Sequence, residues 1–294
     1  MDMSRVSTCS IALIDYPPEK AFEIIAAAGF KKVDVLERLP HLSLFPDDCN
    51  PESIKNAAEV HGLRIANLGT YVGGGLDGRR IAFSFHGWEV TNPERFTSYG
   101  FSSDDLDEQK TEFEQLKRAV DLAFFFGARS IRVVPGNDRA STVERIVPWF
   151  KLAVEYAAEK NIYMGIENHS CGIAGTPELL MELVEKVGSP FLGVLYEPGN
   201  LMHDTGTDYR AALEVMKDKI VHCHFKDCKP VRGGDYEMQH FGEGEIDFPW
   251  IMEQLDAVEY ASDVALEYEL HVPSPEEGLK KFYRDFAALF TPDF

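Results

Sequence analysis

Eight short apolar runs, each five to eight residues long and each followed by a stretch of helical periodicity, succeed one another from end to end of this chain. Strands covered on both faces read as near-continuous Val, Ile and Leu, and parallel neighbours need a helical crossover between them. The runs are predicted at residues 7–14, 32–36, 64–68, 130–134, 163–167, 193–197, 220–225 and 264–268. Between them, segments such as PEKAFEIIAAAGF, PESIKNAAEVHG, TPELLMELVEKVG and PWIMEQLDAVEY open with Pro or a capping residue, and several close with Gly. Eight such units predict an α/β fold closed as a (β/α)₈ barrel.

The 294 residues contain no internal repeat, low-complexity tract or linker, so a single barrel domain is expected over residues 1–294. One connection does not fit. Residues 71–105, after the third strand, carry GGG, several aromatics and an acidic run, too long for an ordinary βα loop. This insertion is expected to cover the barrel mouth, with His86 and Trp88 as its most informative side chains; the plainer alternative is a surface excursion.

A formal net charge of −20, from 49 acidic and 29 basic residues, repels phosphate backbones and anionic lipid surfaces. Nucleic acid and membrane are therefore not expected partners. The start of the chain lacks the order of a signal peptide, and the five cysteines (Cys9, Cys49, Cys171, Cys223, Cys228) show neither CxxC spacing nor a disulfide framework, which predicts a cytoplasmic protein.

In a (β/α)₈ barrel the reacting groups come from the C-terminal ends of several strands, because those ends and the loops after them form one concave face. Here the fifth strand ends in GIENH, the sixth in LYEPGN, the seventh in HCHFKD and the eighth in ALEYE. Glu167, Glu197, His224 and Glu267 are thereby expected to converge. Three carboxylates crowded into an apolar barrel repel one another unless a cation neutralises them, and three carboxylates with one imidazole suit a single divalent ion such as Mn²⁺, Mg²⁺ or Co²⁺. A glutamate at one strand end is as readily a cap or loop residue; four such ends in succession favour a site.

His222 shares a face with His224 and is expected either to donate to substrate or to pack in the interior. Asn168, His169 and Asn200 are candidates for binding substrate hydroxyls. His203 and Asp204 are loop groups within reach. A phosphorylated substrate would need a cradle, yet there is no Gly-rich phosphate loop, and Lys226, Lys229 and Arg232 alone gather basic charge at the expected mouth.

The motifs IEN at Glu167, GTPELL after it, EPGN at Glu197, HCHFKD at His224, FGEGEIDF and LEYE at Glu267 together resemble the xylose-isomerase-like TIM barrels, over nearly the whole chain. That family holds sugar isomerases, ketose 3-epimerases, hydroxypyruvate isomerases, inosose dehydratases and barrel-type apurinic endonucleases. The resemblance implies that Glu167, Glu197, His224 and Glu267 hold the metal, with Mn²⁺ the expected ion, and that Glu167 and Glu267 exchange protons with substrate carbon. It also implies an arginine near the seventh-strand loop, Arg232, as a substrate-orienting group. Two positions depart from the pattern: members usually carry Asp where Glu197 stands, and epimerases often carry His where Asn200 stands.

The expected activity is a divalent-metal-dependent sugar or polyol isomerase or epimerase working through an enediolate, with a small-molecule substrate and a possible homo-oligomer. A dehydratase of the inosose type uses the same constellation. From another class, a non-catalytic sugar-binding barrel keeps the fold and lacks turnover.

Overall fold

The computed structural model describes residues 1–75, 81–84, 87–90, 100–136, 141–169, 172–270 and 274–290; His86, the Trp88 side chain and Cys171 lie outside the described residues. Eight parallel strands close on themselves: β1 (Val6–Cys9), β2 (Lys32–Leu36), β3 (Arg64–Gly69), β6 (Ser130–Val133), β7 (Tyr163–Glu167), β8 (Leu192–Tyr196), β9 (Ile220–Phe225) and β12 (Val264–Leu266). Closure comes from β1, which pairs with β2 on one side and β12 on the other. Two antiparallel hairpins stand outside the barrel, β4 (Ile81–Ser84) with β5 (Gly87–Val90) and β10 (Asp227–Pro230) with β11 (Tyr236–Gln239).

The helices α1 (Pro18–Ala28), α2 (Pro51–Val60), α3 (Leu106–Phe126), α4 (Val143–Glu159), α5 (Pro177–Val187), the short α6 (Pro198–Asn200), α7 (Tyr209–Met216), α8 (Phe248–Ala257) and α9 (Pro275–Ala288) fill the crossovers. Asn50, Asp105, Asp208 and Ser274 each cap one of them with a side-chain oxygen. Their apolar faces bury Leu180, Leu183, Leu213, Ile251 and Phe286 against the outer faces of the strands. No helix among the described residues is long and apolar enough to cross a membrane.

The first strand is shorter than the apolar run suggests. Residues Ser10–Leu13 turn into a 3₁₀ helix because the Ser10 hydroxyl takes over strand-like duties, accepting the Leu36 N–H at 3.0 Å and meeting His41 Nδ1 at 2.9 Å. The insertion after β3 is pinched at its neck. Phe101 N donates to Gly73 O at 3.0 Å and Val134 N to Val72 O at 2.8 Å. A Cβ on Gly73 (φ +98°) would lie 2.0 Å from Val134 O, and one on Gly100 (φ +55°) 2.3 Å from Gly73 O, so this crossing admits only glycine.

Glu112, on the second turn of α3 and buried, accepts the Gly73 N–H at that neck. Burial pushes its carboxyl up to about 7 from an ordinary 4.5, against the opposing pull of the Gly73 and Gly75 amides. The folded chain thus keeps a proton that the unfolded chain releases at lower pH. The stability this group contributes is full below about pH 4.5 and is lost as pH rises through about 7. We expect urea midpoints of wild type to fall relative to Glu112→Gln across that window; a constant difference would contradict the assignment.

Candidate active site

Parity along the strands decides which side chains enter the barrel. In KVDVL of β2 the valines face the helices and Asp34 faces in; in SIRV of β6, Arg132 faces in; in IVHCHF of β9, His222 and His224 do. Just past the strand ends Glu167, Glu197, Lys226 and Glu267 follow the same inward register, all at most 6% exposed.

Glu167 and Glu267 divide their oxygens in the same way. Glu167 Oε2 accepts from Arg132 Nη1 at 2.8 Å while Oε1 lies 3.1 Å from His224 Nδ1. Glu267 Oε2 accepts from Lys226 Nζ at 2.8 Å while its Oε1 lies 3.6 Å from the same His224 Nδ1. Each glutamate is held by one cation and presents its other oxygen to one imidazole nitrogen. The far side of that imidazole is also engaged: Nε2 is 3.4 Å from Asp34 Oδ2 and 3.7 Å from Cys9 Sγ. Burial opposes the charge of His224, but Cys9, Glu267 and Asp34 outweigh it and raise its pKa well above the ordinary imidazole value, so Nδ1 donates to Glu167 and would give up that proton to serve as a ligand.

The charges follow from these contacts. Burial opposes ionisation of Glu167, but Arg132 and then His224 overcome it and hold the carboxyl well below its usual range. Burial likewise opposes the charge of Glu267, and Lys226 and His224 outweigh it. Burial pushes Glu269 up in spite of Lys226, which it meets at 2.9 Å, with Glu267 adding to the shift. Four buried carboxyl groups (Asp34, Glu167, Glu197, Glu267) and the part-exposed Glu269 face two permanent cations, Arg132 and Lys226, and the His224 imidazole, while burial shifts Glu197 and Glu269 toward their neutral forms. Glu167 Oε1 and Glu267 Oε1 both face His224 Nδ1, and carboxylates with an imidazole are donors of the kind a divalent ion takes. Among the described residues, two groups offer ligand atoms within 4.8 Å of one another: Cys9, His224 and Glu267, and Asp34, His222 and His224.

Glu197 is placed differently. It has left β8 to cap α6, its Oε2 accepting the Asn200 N–H and its Oε1 the Lys226 N–H at 3.1 Å. Burial raises its carboxyl to about 8, with Lys226 opposing and Glu267 adding. Asn168 clamps the same residue from the neighbouring loop, accepting the Glu197 N–H at 2.9 Å and donating to Glu197 O at 2.7 Å, and Asn200 Nδ2 donates back to Asn168 O at 3.2 Å. Asn168 and Asn200 are thus spent largely on each other and on the backbone.

His222 lies a layer below, 1% exposed, with Nε2 2.6 Å from Asp34 Oδ2. It packs in the interior, the second of the two roles expected for it. His169 is exposed at the rim, 3.3 Å from Asp204, whose other oxygen is 2.8 Å from His203. Arg232 is exposed at the tip of the β10–β11 hairpin, and no contact with this cluster is present among the described residues. Lys226, expected as loose basic charge at the mouth, is fully engaged by Glu267 and Glu269.

The FGEGEIDF segment is ordered by Asp227, which accepts the N–H groups of Gly242 and Gly244 at 3.0 Å and of Cys228 at 2.9 Å. Glu243 points away, 3.0 Å from Lys281 of α9. Arg132, Asp34 and Glu269 are the site residues that strand-end reasoning did not pick out. A lone charge inside an otherwise apolar strand, as in SIRV and KVDVL, is the signal that finds the first two.

Comparison with known proteins gives a consistent family and fold. The family described as xylose isomerase-like TIM barrel matches residues 22–284. The putative L-ribulose-5-phosphate 3-epimerase SgbU of Escherichia coli (strain K12) is 28% identical over 178 residues, covering 58% of this chain and 62% of that protein. The chain therefore aligns with less than two thirds of that relative's length. A xylose isomerase-like TIM barrel protein from Mycobacterium smegmatis, solved in complex with magnesium, superposes with a TM-score of 0.72 at 13% identity over 98% of both chains. The probable 3-DHS dehydratase AsbF from Bacillus anthracis superposes with a TM-score of 0.69 at 16% identity over 96% of this chain and 98% of that one. At these identities the structural likeness establishes the fold.

Proposed function

Because the chain belongs to the xylose isomerase-like TIM barrel family, we propose that it is a divalent-metal-dependent isomerase or epimerase of an unphosphorylated ketose or related polyol. The observation that carries this reading is the convergence of Glu167 Oε1 and Glu267 Oε1 on His224 Nδ1, with the remaining oxygen of each glutamate tied to a buried cation. Glu167, His224 and Glu267 are the residues that would hold the ion; Glu197 would join them only by releasing the amides it caps. When bound, a divalent ion supplies stabilisation of the negative oxygen that develops beside the carbon losing its proton.

The residues perform the proton transfers. Glu167, ionised beside Arg132, removes the proton next to the substrate carbonyl; the C–H electron pair becomes the C=C bond and the carbonyl oxygen takes the charge. Glu267, ionised at rest, takes a proton from solvent and returns it to carbon, and Glu167 gives the proton it removed back to solvent. Delivery to the opposite face gives the epimer; delivery to the neighbouring carbon, with the proton of the other hydroxyl passing to the first oxygen as the new C=O forms, gives the isomer. Two features favour an unphosphorylated substrate: Lys226 is occupied by two carboxylates, and Arg232 stands out on the hairpin.

The similarity to a probable dehydratase supports a second outcome of the same chemistry, in which a β-hydroxyl leaves after the proton is taken. The experiment is to incubate the Mn²⁺-loaded and the EDTA-treated protein with free and 5-phosphorylated ketoses in D₂O. Gain of deuterium in a free ketose, with Mn²⁺ only, is expected. Loss of water instead assigns the dehydratase, and binding with neither overturns the catalytic reading in favour of a sugar-binding barrel.

A further inference from the structure

Arg132 is the least explained charge in the barrel. It is 8% exposed, and its guanidinium carbon lies 4.7 Å from the centre of the Tyr71 ring. Nε donates to Thr70 O at 3.1 Å and Nη1 to Glu167 Oε2 at 2.8 Å, the Tyr71 hydroxyl also interacts with the guanidinium, and Nη2 is buried with no acceptor at hydrogen-bond distance. Every group it touches sits at the C-terminal mouth: Thr70 and Tyr71 follow β3, and Glu167 ends β7. A buried, permanently charged donor is normally satisfied, so a free one at the mouth of a site marks the place of a ligand oxygen.

The guanidinium is planar and rigid, so fixing Nη1 on Glu167 also fixes where Nη2 points. An oxygen accepting from Nη2 would share one guanidinium with the Glu167 carboxylate, which brings it near the base that attacks the adjacent carbon. We propose that Arg132 is a catalytic residue whose free Nη2 arm binds the substrate carbonyl oxygen and stabilises it as it becomes an enolate oxygen, while Nη1 holds the base in place. The proposal rests on the proton-transfer reading above and extends it to a residue on the fourth barrel strand. It also narrows the substrate to one with a carbonyl, or a carboxylate in the same position, next to the reacting C–H.

Arg132→Lys tests it, since a lysine keeps one charged donor for Glu167 and loses the second arm. In the deuterium-exchange assay the saturated rate is expected to fall about 100-fold, as for removal of one oxyanion donor, with KM changed less than threefold. Retention of the rate within threefold overturns the proposal. A raised KM at unchanged rate also overturns the enolate role, and assigns the arm to ground-state substrate binding. A second measurement is independent of turnover: oxalate, a planar mimic of the enediolate, is titrated into wild type and Arg132→Lys by calorimetry under identical Mn²⁺ conditions, with melting curves to verify folding. At least tenfold weaker oxalate binding by the variant is expected; equal affinity, or none in either protein, overturns the proposal. If wild type exchanges no ketose proton yet the oxalate difference holds, Arg132 stands as the oxygen-binding residue and the isomerase reading falls.

Discussion

Glu267→Gln is expected to lower metal-dependent deuterium exchange into substrate by about a thousandfold, within the 10²–10⁴ range of positioned acid–base groups. Glutamine fills the same volume and can still meet Lys226, so the loss falls on chemistry and not on packing. Glu167→Gln is expected to do the same and to leave Arg132 Nη1 without its carboxylate. The two variants should differ in stereochemistry of residual exchange. If Glu167 works one face of the carbon and Glu267 the other, each variant, supplied with saturating Mn²⁺ to offset its weakened hold on the ion, retains slow exchange of the opposite hydrogen, which NMR of the recovered sugar reads directly. Exchange within threefold of wild type in both variants would contradict their roles.

The second large effect is on stability. Lys226 is 5% exposed and is the shared partner of Glu267 and Glu269. Removing one member of a buried ion pair strands the others, and Lys226→Met is expected to cost about 3–5 kcal/mol in urea unfolding. The double variant Lys226→Met/Glu269→Gln should recover a good part of that loss, because one of the two stranded charges is gone. Additive losses would show that the methylenes of Lys226, and not its charge, hold this corner together. Added Mn²⁺ should also stabilise the single variant more than wild type, since the ion then becomes the main cation next to Glu267.

Much of this molecule was legible in the sequence, for identifiable physical reasons. The strand runs at 32–36, 163–167 and 220–225 coincide with β2, β7 and β9, since the residues of a barrel strand that face the helices have to be apolar. The run at 7–14 misled because Ile11 to Ile14 are apolar for a different reason: a 3₁₀ turn packs them, and a hydroxyl from Ser10 replaces the ladder. The pinched neck of the insertion is visible in the GGG at Gly73 only once Gly100 is known to cross it, a contact between positions far apart in sequence.

Within the site, Glu167, His224 and Glu267 were found from strand ends because parity fixes their direction. Glu197 was placed with them by the same rule, yet a side chain that begins a helix is drawn to the free N–H groups there, and a glutamate is long enough to cap them. Asn168 and Asn200 follow from that choice, being tied to the Glu197 backbone and to each other. The family resemblance implies a substrate-orienting arginine near the seventh-strand loop, and Arg232, the match to it, lies exposed at the tip of the β10–β11 hairpin. Arg132 supplies the guanidinium at the site from the other side of the barrel, where its neighbours Ser130, Ile131 and Val133 give no hint of polarity beyond one hydroxyl.

The central claim is that Glu167, His224 and Glu267 form one divalent-ion site that their charge and geometry make together. Its most direct test is metal content by elemental analysis after dialysis against Mn²⁺, for wild type, His224→Asn, Glu267→Gln and Glu197→Gln. The account predicts one ion per chain in wild type, loss of the ion in the first two variants, and retention in Glu197→Gln, whose carboxylate is occupied by backbone amides. No stoichiometric ion in wild type, or an ion that survives His224→Asn, would contradict it.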